Sequence, residues 1–226
     1  MSAPKKLTFI HTSHVLIPLF ADLANRHLPG VEVFHMSDDS LIKNTIKAGH
    51  LTENTAHRVA GMVDLARQSG ADVVMVTCSS IGKATEMARD GRNFPVLRID
   101  EALAEAAVSL FAPGKPGKLG VAATLSTTLD PTVELMRTTA ARFNRDLTIV
   151  PALAEGAFEA VLAGDTARHD ELLLNVLKQL RGEVDVVVLA QASMARVAAL
   201  LPQEGAPILS SPELAVKRAA EVFAQM

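Results

Sequence analysis

The feature that most restricts how this chain can fold is a match of the chain against itself. DVVMVTCSS from Asp72 aligns with DVVVLAQAS from Asp185, PVLRIDEAL from Pro95 with PILSSPELA from Pro207, and KLTFIHT from Lys6 with KLGVAAT from Lys118, all at offsets of 112 or 113 residues. Three matches in one order, each joining a strand-like run to a loop, point to duplication of one supersecondary unit. The 226 residues then divide into two lobes, expected over 1–112 and 113–206, with Gly114-Lys115-Pro116-Gly117 opening the second. Residues 207–226 match a first-lobe segment and read as a closing strand and helix free to pack back on the first lobe.

Short apolar runs rich in β-branched residues fall at 7–10, 73–76, 96–99, 119–122, 147–150, 186–189 and 208–209, and alternate with longer stretches of helical period. That alternation predicts parallel sheets. The expected fold is α/β, with two pseudo-symmetric lobes, each a small parallel sheet flanked by helices, and an active site in the cleft between them. Thr52 reads as the N-cap of a helix that runs to Ser69 and stops at Gly70. Asp130 before Pro131, and Ser211 before Pro212, read as caps preceding a proline in the first turn.

Composition narrows the function. With 49% hydrophobic and 21% charged residues, the chain is an ordinary globular one, and no apolar run reaches the roughly 20 residues a bilayer crossing needs. The early stretch LTFIHTSHVLIPLF is interrupted by His11, Thr12, Ser13 and His14 and reads as a strand and loop rather than a signal peptide. A net charge of -3, with no Trp or Tyr, offers neither a basic patch nor a stacking surface, which disfavours nucleic acid. The two common nucleotide-binding signatures are absent. Seven histidines without metal spacing and one cysteine provide no metal site. A lone cysteine forms no internal disulfide, so a cytoplasmic protein is expected.

That cysteine, Cys78, stands where an apolar strand ends and a helix begins, the place where open parallel sheets bind ligands. The unpaired N–H groups near Ser79 and Ser80 favour an anion there and are expected to lower the thiol pKa. A free cysteine also serves elsewhere as a small buried hydrophobe, and from Cys78 alone the two roles weigh equally. The repeat sets Gln191 opposite it, one chemical group from each lobe.

The TCSSIG and LAQASMA segments, the PVL…EA pattern and the duplicated build together resemble the aspartate/glutamate racemase superfamily, which includes hydantoin racemases, maleate isomerases and arylmalonate decarboxylases. The resemblance implies a cofactor-independent, metal-free enzyme in which two cysteines at the matching loop positions hold the substrate between the lobes. One thiolate removes the proton next to a carboxylate and the opposite thiol returns one. Here the second position is Gln191, an amide without acid or base character near neutral pH. Three chemistries stay compatible: a racemase with water, His11 or His14 as second proton carrier, although a strand-end histidine is more often a hydrogen-bonded wall residue; a decarboxylase or lyase with Cys78 as sole proton donor; and an isomerase or lyase with Cys78 as nucleophile. A binder that has kept the fold without catalysis is the competing reading from another class.

Thr12 and Ser13 end the first strand of lobe one, and Thr124 holds the matching place in lobe two. With Ser79, Ser80, Ala192 and Ser193 they are the candidate substrate-binding residues, able to clamp a carboxylate through hydroxyl and N–H groups, although Ser and Thr are also ordinary loop and cap residues. Asp38 and Asp39 read as a solvated turn. The expected partner is a small carboxylate-bearing substrate, and a homo-oligomer is the base expectation for a soluble enzyme.

Overall fold

The computed structural model describes residues 4–202 and 204–226; residues 1–3, at the start of the expected first lobe, and Gln203 lie outside the described residues. The chain packs as two compact units. One comprises the described residues up to Glu101 together with Pro212–Met226, and the other Ala102–Ser211.

The first unit holds β1 (Lys6–His11), α1 (Ile17–His27), β2 (Glu32–Ser37), α2 (Ser40–Ala48), α3 (Glu53–Gln68), β3 (Val73–Val76), α4 (Gly82–Arg89) and β4 (Val96–Arg98). After β4 comes α5 (Glu101–Ser109), whose residues from Ala102 belong to the second unit. There follow β5 (Gly117–Ala123), α6 (Ser126–Arg142), β6 (Leu147–Leu153), α7 (Ala157–Leu162), α8 (Thr166–Arg181), β7 (Val186–Leu189), α9 (Ala195–Ala198) and β8 (Ile208–Ser210). The last helix, α10 (Ser211–Gln225), belongs from Pro212 onward to the first unit. It buries Ala215, Val216, Ala219 and Phe223 there, and Lys5 donates to the Phe223 carbonyl at 2.7 Å.

Both sheets are four-stranded and parallel, in the orders β2-β1-β3-β4 and β6-β5-β7-β8. The two lobes are therefore pseudo-symmetric in topology. β3 and β7 are fully buried, which is why they read as unbroken apolar runs: a strand covered on both faces has no solvent side to make polar. The symmetry reaches individual hydrogen bonds. Lys6 N donates to Asp72 Oδ2 and Lys118 N to Asp185 Oδ2, each at 2.8 Å, while Asp72 N and Asp185 N return bonds to the carbonyls of Lys6 and Lys118. These are the residues that open the matched segments, so each lobe begins its central strand pair with the same clasp.

Local chemistry sets the helix ends as expected for α3, where Thr52 accepts from the Thr55 N–H and Gly70 takes a left-handed φ of 93° beyond the last turn. At α6 the expectation is corrected. Asp130 is not its cap, because the helix starts at Ser126 and carries Pro131 inside its second turn. Proline tolerates helical φ and forfeits only one N–H bond, here that to the carbonyl four residues earlier, close enough to the helix start to spare the fold a break.

Candidate functional site

In each unit an inner strand stops and two residues, the second of them extended, lead into a 3-10 turn. That residue is Cys78 in the first unit, with φ −133° and ψ 116°, and Gln191 in the second, with φ −120° and ψ 136°. The neighbouring strand supplies a threonine to each. Thr12 follows β1 and bonds Cys78 through its hydroxyl; Thr124 follows β5 and bonds Gln191. The two pairs are the same construction with different chemistry.

In the first unit the Cys78 sulfur meets the hydroxyls of Thr12 and Ser80 and the N–H groups of Ser80 and Ile81. Thr12, Ser79 and Ser80 are each 6% exposed and Cys78 is partly exposed. The expected depression of the thiol pKa is corrected: burial pushes Cys78 up, and the hydrogen bonds from Thr12, Ser80 and Ile81, which favour the thiolate, only offset part of it. A short 3-10 turn supplies few aligned N–H groups, whereas removing a thiolate from water acts on its whole charge. Cys78 is therefore a protonated thiol at neutral pH, with donors already arranged around the sulfur to receive a negative charge.

In the second unit the Thr124 N–H donates to Gln191 Oε1 at 2.7 Å, and Gln191 Nε2 donates to Thr124 Oγ1 at 2.8 Å. A backbone N–H can only donate, so its partner must be the amide oxygen and the orientation of the Gln191 head is fixed. Gln191 thus clasps one residue with both ends of its amide. We expect Gln191→Leu to leave the Thr124 N–H without an acceptor in a residue only 7% exposed, at a cost of about 1–3 kcal/mol. A urea titration of the full chain checks this; an unchanged midpoint would mean that water replaces the amide.

The remaining sequence-predicted residues divide. Ser13 sits at the turn after β1 without a side-chain cap bond, Ala192 is buried beneath the second turn, and Ser193 is exposed. The structure brings Thr12, Cys78 and Ser80 together in one unit and Thr124 and Gln191 in the other. The turn after Gln191 is tied back by Arg196, whose guanidinium forks onto Asp170 at 2.6 and 2.7 Å and holds that carboxyl down at about 2. Among the described residues, no three His, Cys, Asp or Glu side chains converge as a metal ion would require. No described helix is long and apolar enough to cross a membrane.

His11 takes the part of a hydrogen-bonded wall residue. It is fully buried, with Nδ1 2.8 Å from Thr77 Oγ1 and Nε2 2.9 Å from His35 Nδ1, so both ring nitrogens have partners inside the fold. His35 was missed by sequence reasoning, as was the buried ion pair of Arg98 and Asp100. The signal for the second lay in the repeat itself, where PVLRID in one copy stands against PILSSP in the other.

Comparison with known proteins bears on the fold and the family. A search of curated proteins finds no match. Among solved structures, the chain is similar to glutamate racemase isoform RacE1 from Bacillus anthracis, with a TM-score of 0.78 at 17% identity over 98% of this chain and 82% of that one. It is also similar to allantoin racemase from Klebsiella pneumoniae, with a TM-score of 0.65 at 17% identity over 98% and 88% of the two chains. For the aspartate racemase of Picrophilus torridus the TM-score is 0.67 at 16% identity over 96% and 94%. At these identities the likeness establishes the fold, and the family model for Asp/Glu/hydantoin racemase matches residues 11–219. With that match spanning nearly its whole length, the chain belongs to the Asp/Glu/hydantoin racemase family.

Proposed function

We propose that this chain is a cofactor-independent isomerase of the racemase type, moving a proton at the carbon next to a carboxylate or carbonyl of a small molecule through Cys78. The observation that carries the reading is the sulfur's surroundings: a thiol at the end of the central strand, ringed by Thr12, Ser80 and Ile81 donors that suit its anion. As a base, the Cys78 thiolate takes the α-proton, and the carbon's electron pair spreads into the adjoining carboxylate or carbonyl. As an acid, the S–H bond breaks, the carbanion's pair forms the new C–H bond, and the thiolate remains among the same donors. Glutamate and aspartate, named for two of the similar racemases, carry a carboxylate next to such a carbon, which supports a small carboxylate-bearing substrate. Thr12, Ser13, Ser79 and Ser80 in one unit, and Thr124, Ala192 and Ser193 in the other, are the proposed binding residues. A single free cysteine supports a cytoplasmic location.

A second reading is favoured by one specific observation: Gln191, clasped on Thr124, holds the place that matches Cys78, the one cysteine of the chain. A decarboxylase requires no more. The bond to the departing carboxylate breaks, carbon dioxide leaves, the electron pair stays on carbon, and Cys78 supplies the proton and recovers one from water. The test is proton exchange in deuterated water, followed by NMR over amino acids, hydantoins and substituted malonates, with the wild type and Cys78→Ala. Deuterium entering at the α-carbon only with Cys78 present supports carbanion chemistry, and retention or loss of the carboxylate separates the two readings. An absence of exchange across the panel would favour a small-molecule binder.

A further inference from the structure

Arg98 and Asp100 form a buried ion pair whose side chains are 4% and 2% exposed, joined by two parallel bonds, Nε to Oδ1 at 2.9 Å and Nη2 to Oδ2 at 2.8 Å. A third bond runs from Arg98 Nη1 to Glu86 on α4. Such a pair is weak evidence for stability, because desolvating both charges offsets most of their attraction. Its place in the fold gives it another reason to exist.

Arg98 is the register partner of Val76, and the bond from Ile99 N to the Val76 carbonyl continues that register by one step. As the register partner of Val76, Arg98 lies on the sheet face that carries Val76, which packs in one cluster with Cys78, Ile81, Ala84 and Ala88. That face is covered by the turn and helix following Cys78. The guanidinium lies against Gly82, the first residue of α4: a Cβ there would stand 2.4 Å from Arg98 Nη2, 2.6 Å from Cζ and 2.8 Å from Nε. Gripped by two carboxylates, the guanidinium cannot swing aside.

The second lobe serves as an internal control. In the matched segments, Gly82 corresponds to Ala195, Arg98 to Ser210 and Asp100 to Pro212. Where the arginine is missing, the glycine has become alanine, and the strand ends in an amide instead of a thiol. Glycine and arginine occur together in the one lobe that holds Cys78.

We propose that Arg98 is a positioning residue: clamped by Asp100 and Glu86, it seats the start of α4 through Gly82 and thereby fixes the turn that presents Cys78. This rests on Cys78 being the reacting group. Neither Arg98 nor Asp100 touches substrate in this scheme. The Ser80 and Ile81 N–H groups that face the sulfur stand two residues and one residue before Gly82, so a displaced helix start moves the donors away from the thiol.

The test is the pH dependence of Cys78 alkylation by iodoacetamide in the full-length protein, which has one cysteine and hence one site to follow by mass. Gly82→Ala and Arg98→Met should each move the profile's midpoint by about half a pH unit or more and the limiting rate by about five-fold or more. Far-UV circular dichroism should stay unchanged. Arg98→Lys, which keeps the charge but not the planar fork, should fail to restore either value. The double variant should behave like Arg98→Met alone, since the two positions act as one device. Midpoint and rate matching the wild type in Gly82→Ala would overturn the proposal even if Arg98→Met did not fold, as would wild-type behaviour of Arg98→Lys. Deuterium exchange keeps the two readings apart. Cys78-dependent exchange with an unmoved alkylation profile sinks the positioning role alone; a moved profile without exchange on any substrate sinks the catalytic reading alone.

Discussion

Replacing Cys78 by serine should lower the rate of α-carbon exchange by about 10² to 10⁴-fold, the usual worth of one general acid or base, while leaving the fold intact. The side chain is partly exposed, the change is nearly isosteric, and a hydroxyl can keep the bond to Thr12, so the loss should fall on chemistry rather than stability. The pH dependence of kcat/KM then tells which role the sulfur plays. Burial pushes the thiol up, so in the free enzyme near neutral pH almost all of it is S–H. If the thiolate must remove a proton first, as in the isomerase, kcat/KM should rise by about ten-fold per pH unit until the thiol titrates. If the thiol only donates, as in the decarboxylase, the profile should be flat through neutrality and fall as the thiol ionises. Cys78→Ser should flatten whichever limb is present. A limb that survives in Cys78→Ser belongs to another group and would remove Cys78 from the proton-transfer step.

The parallel sheets and the like placing of Cys78 and Gln191 were legible because the same strand-to-loop pattern occurs in both halves of the sequence. A buried central strand has an unmistakable apolar signature, and its recurrence 113 residues later marked the corresponding strand of the second sheet. What the sequence could not carry were relations between elements remote in sequence. The Cys78 pKa hinges on how much water the fold removes from the sulfur, and no local pattern encodes that. Local chemistry alone predicted the wrong direction by counting the turn's N–H groups and omitting desolvation. A strand-end histidine is more often a hydrogen-bonded wall residue than a proton shuttle, and His11 is such a residue, but the sequence did not show which groups hold it. Its partners are Thr77, just beyond β3, and His35 on β2, and their meeting depends on the order β2-β1-β3. The start of α6 was misplaced for the opposite reason: a familiar local signal, Asp before Pro, was present but inside a helix already under way.

Acid should destabilise this protein through His11, by about 3 kcal/mol between pH 6.5 and 4. The sign follows from its surroundings. Burial lowers the pKa of His11 to about 4, with His35 contributing, whereas in the unfolded chain the ring titrates near 6.5. Between those values the unfolded state binds the extra proton, so stability is complete above pH 6.5 and is lost as pH falls towards 4. The hydrogen bonds show what the proton would break. Thr77 Oγ1 donates to the Ile10 carbonyl at 3.2 Å, so His11 Nδ1–H must donate to Thr77, and His11 Nε2 must accept from His35 Nδ1–H. A proton on Nε2 would face that N–H and destroy the chain, in a pocket where Phe9 and Phe20 offer no counter-charge. Urea titrations of the wild type and His11→Gln at pH 7 and pH 4.5 isolate the effect, since carboxylate titrations elsewhere are common to both. The wild type should lose stability faster than the variant as pH falls, and the difference between them at pH 7 should shrink by more than half at pH 4.5. Parallel losses would show that His11 is protonated inside the fold without penalty, and that the buried histidine pair tolerates a charge in an apolar pocket.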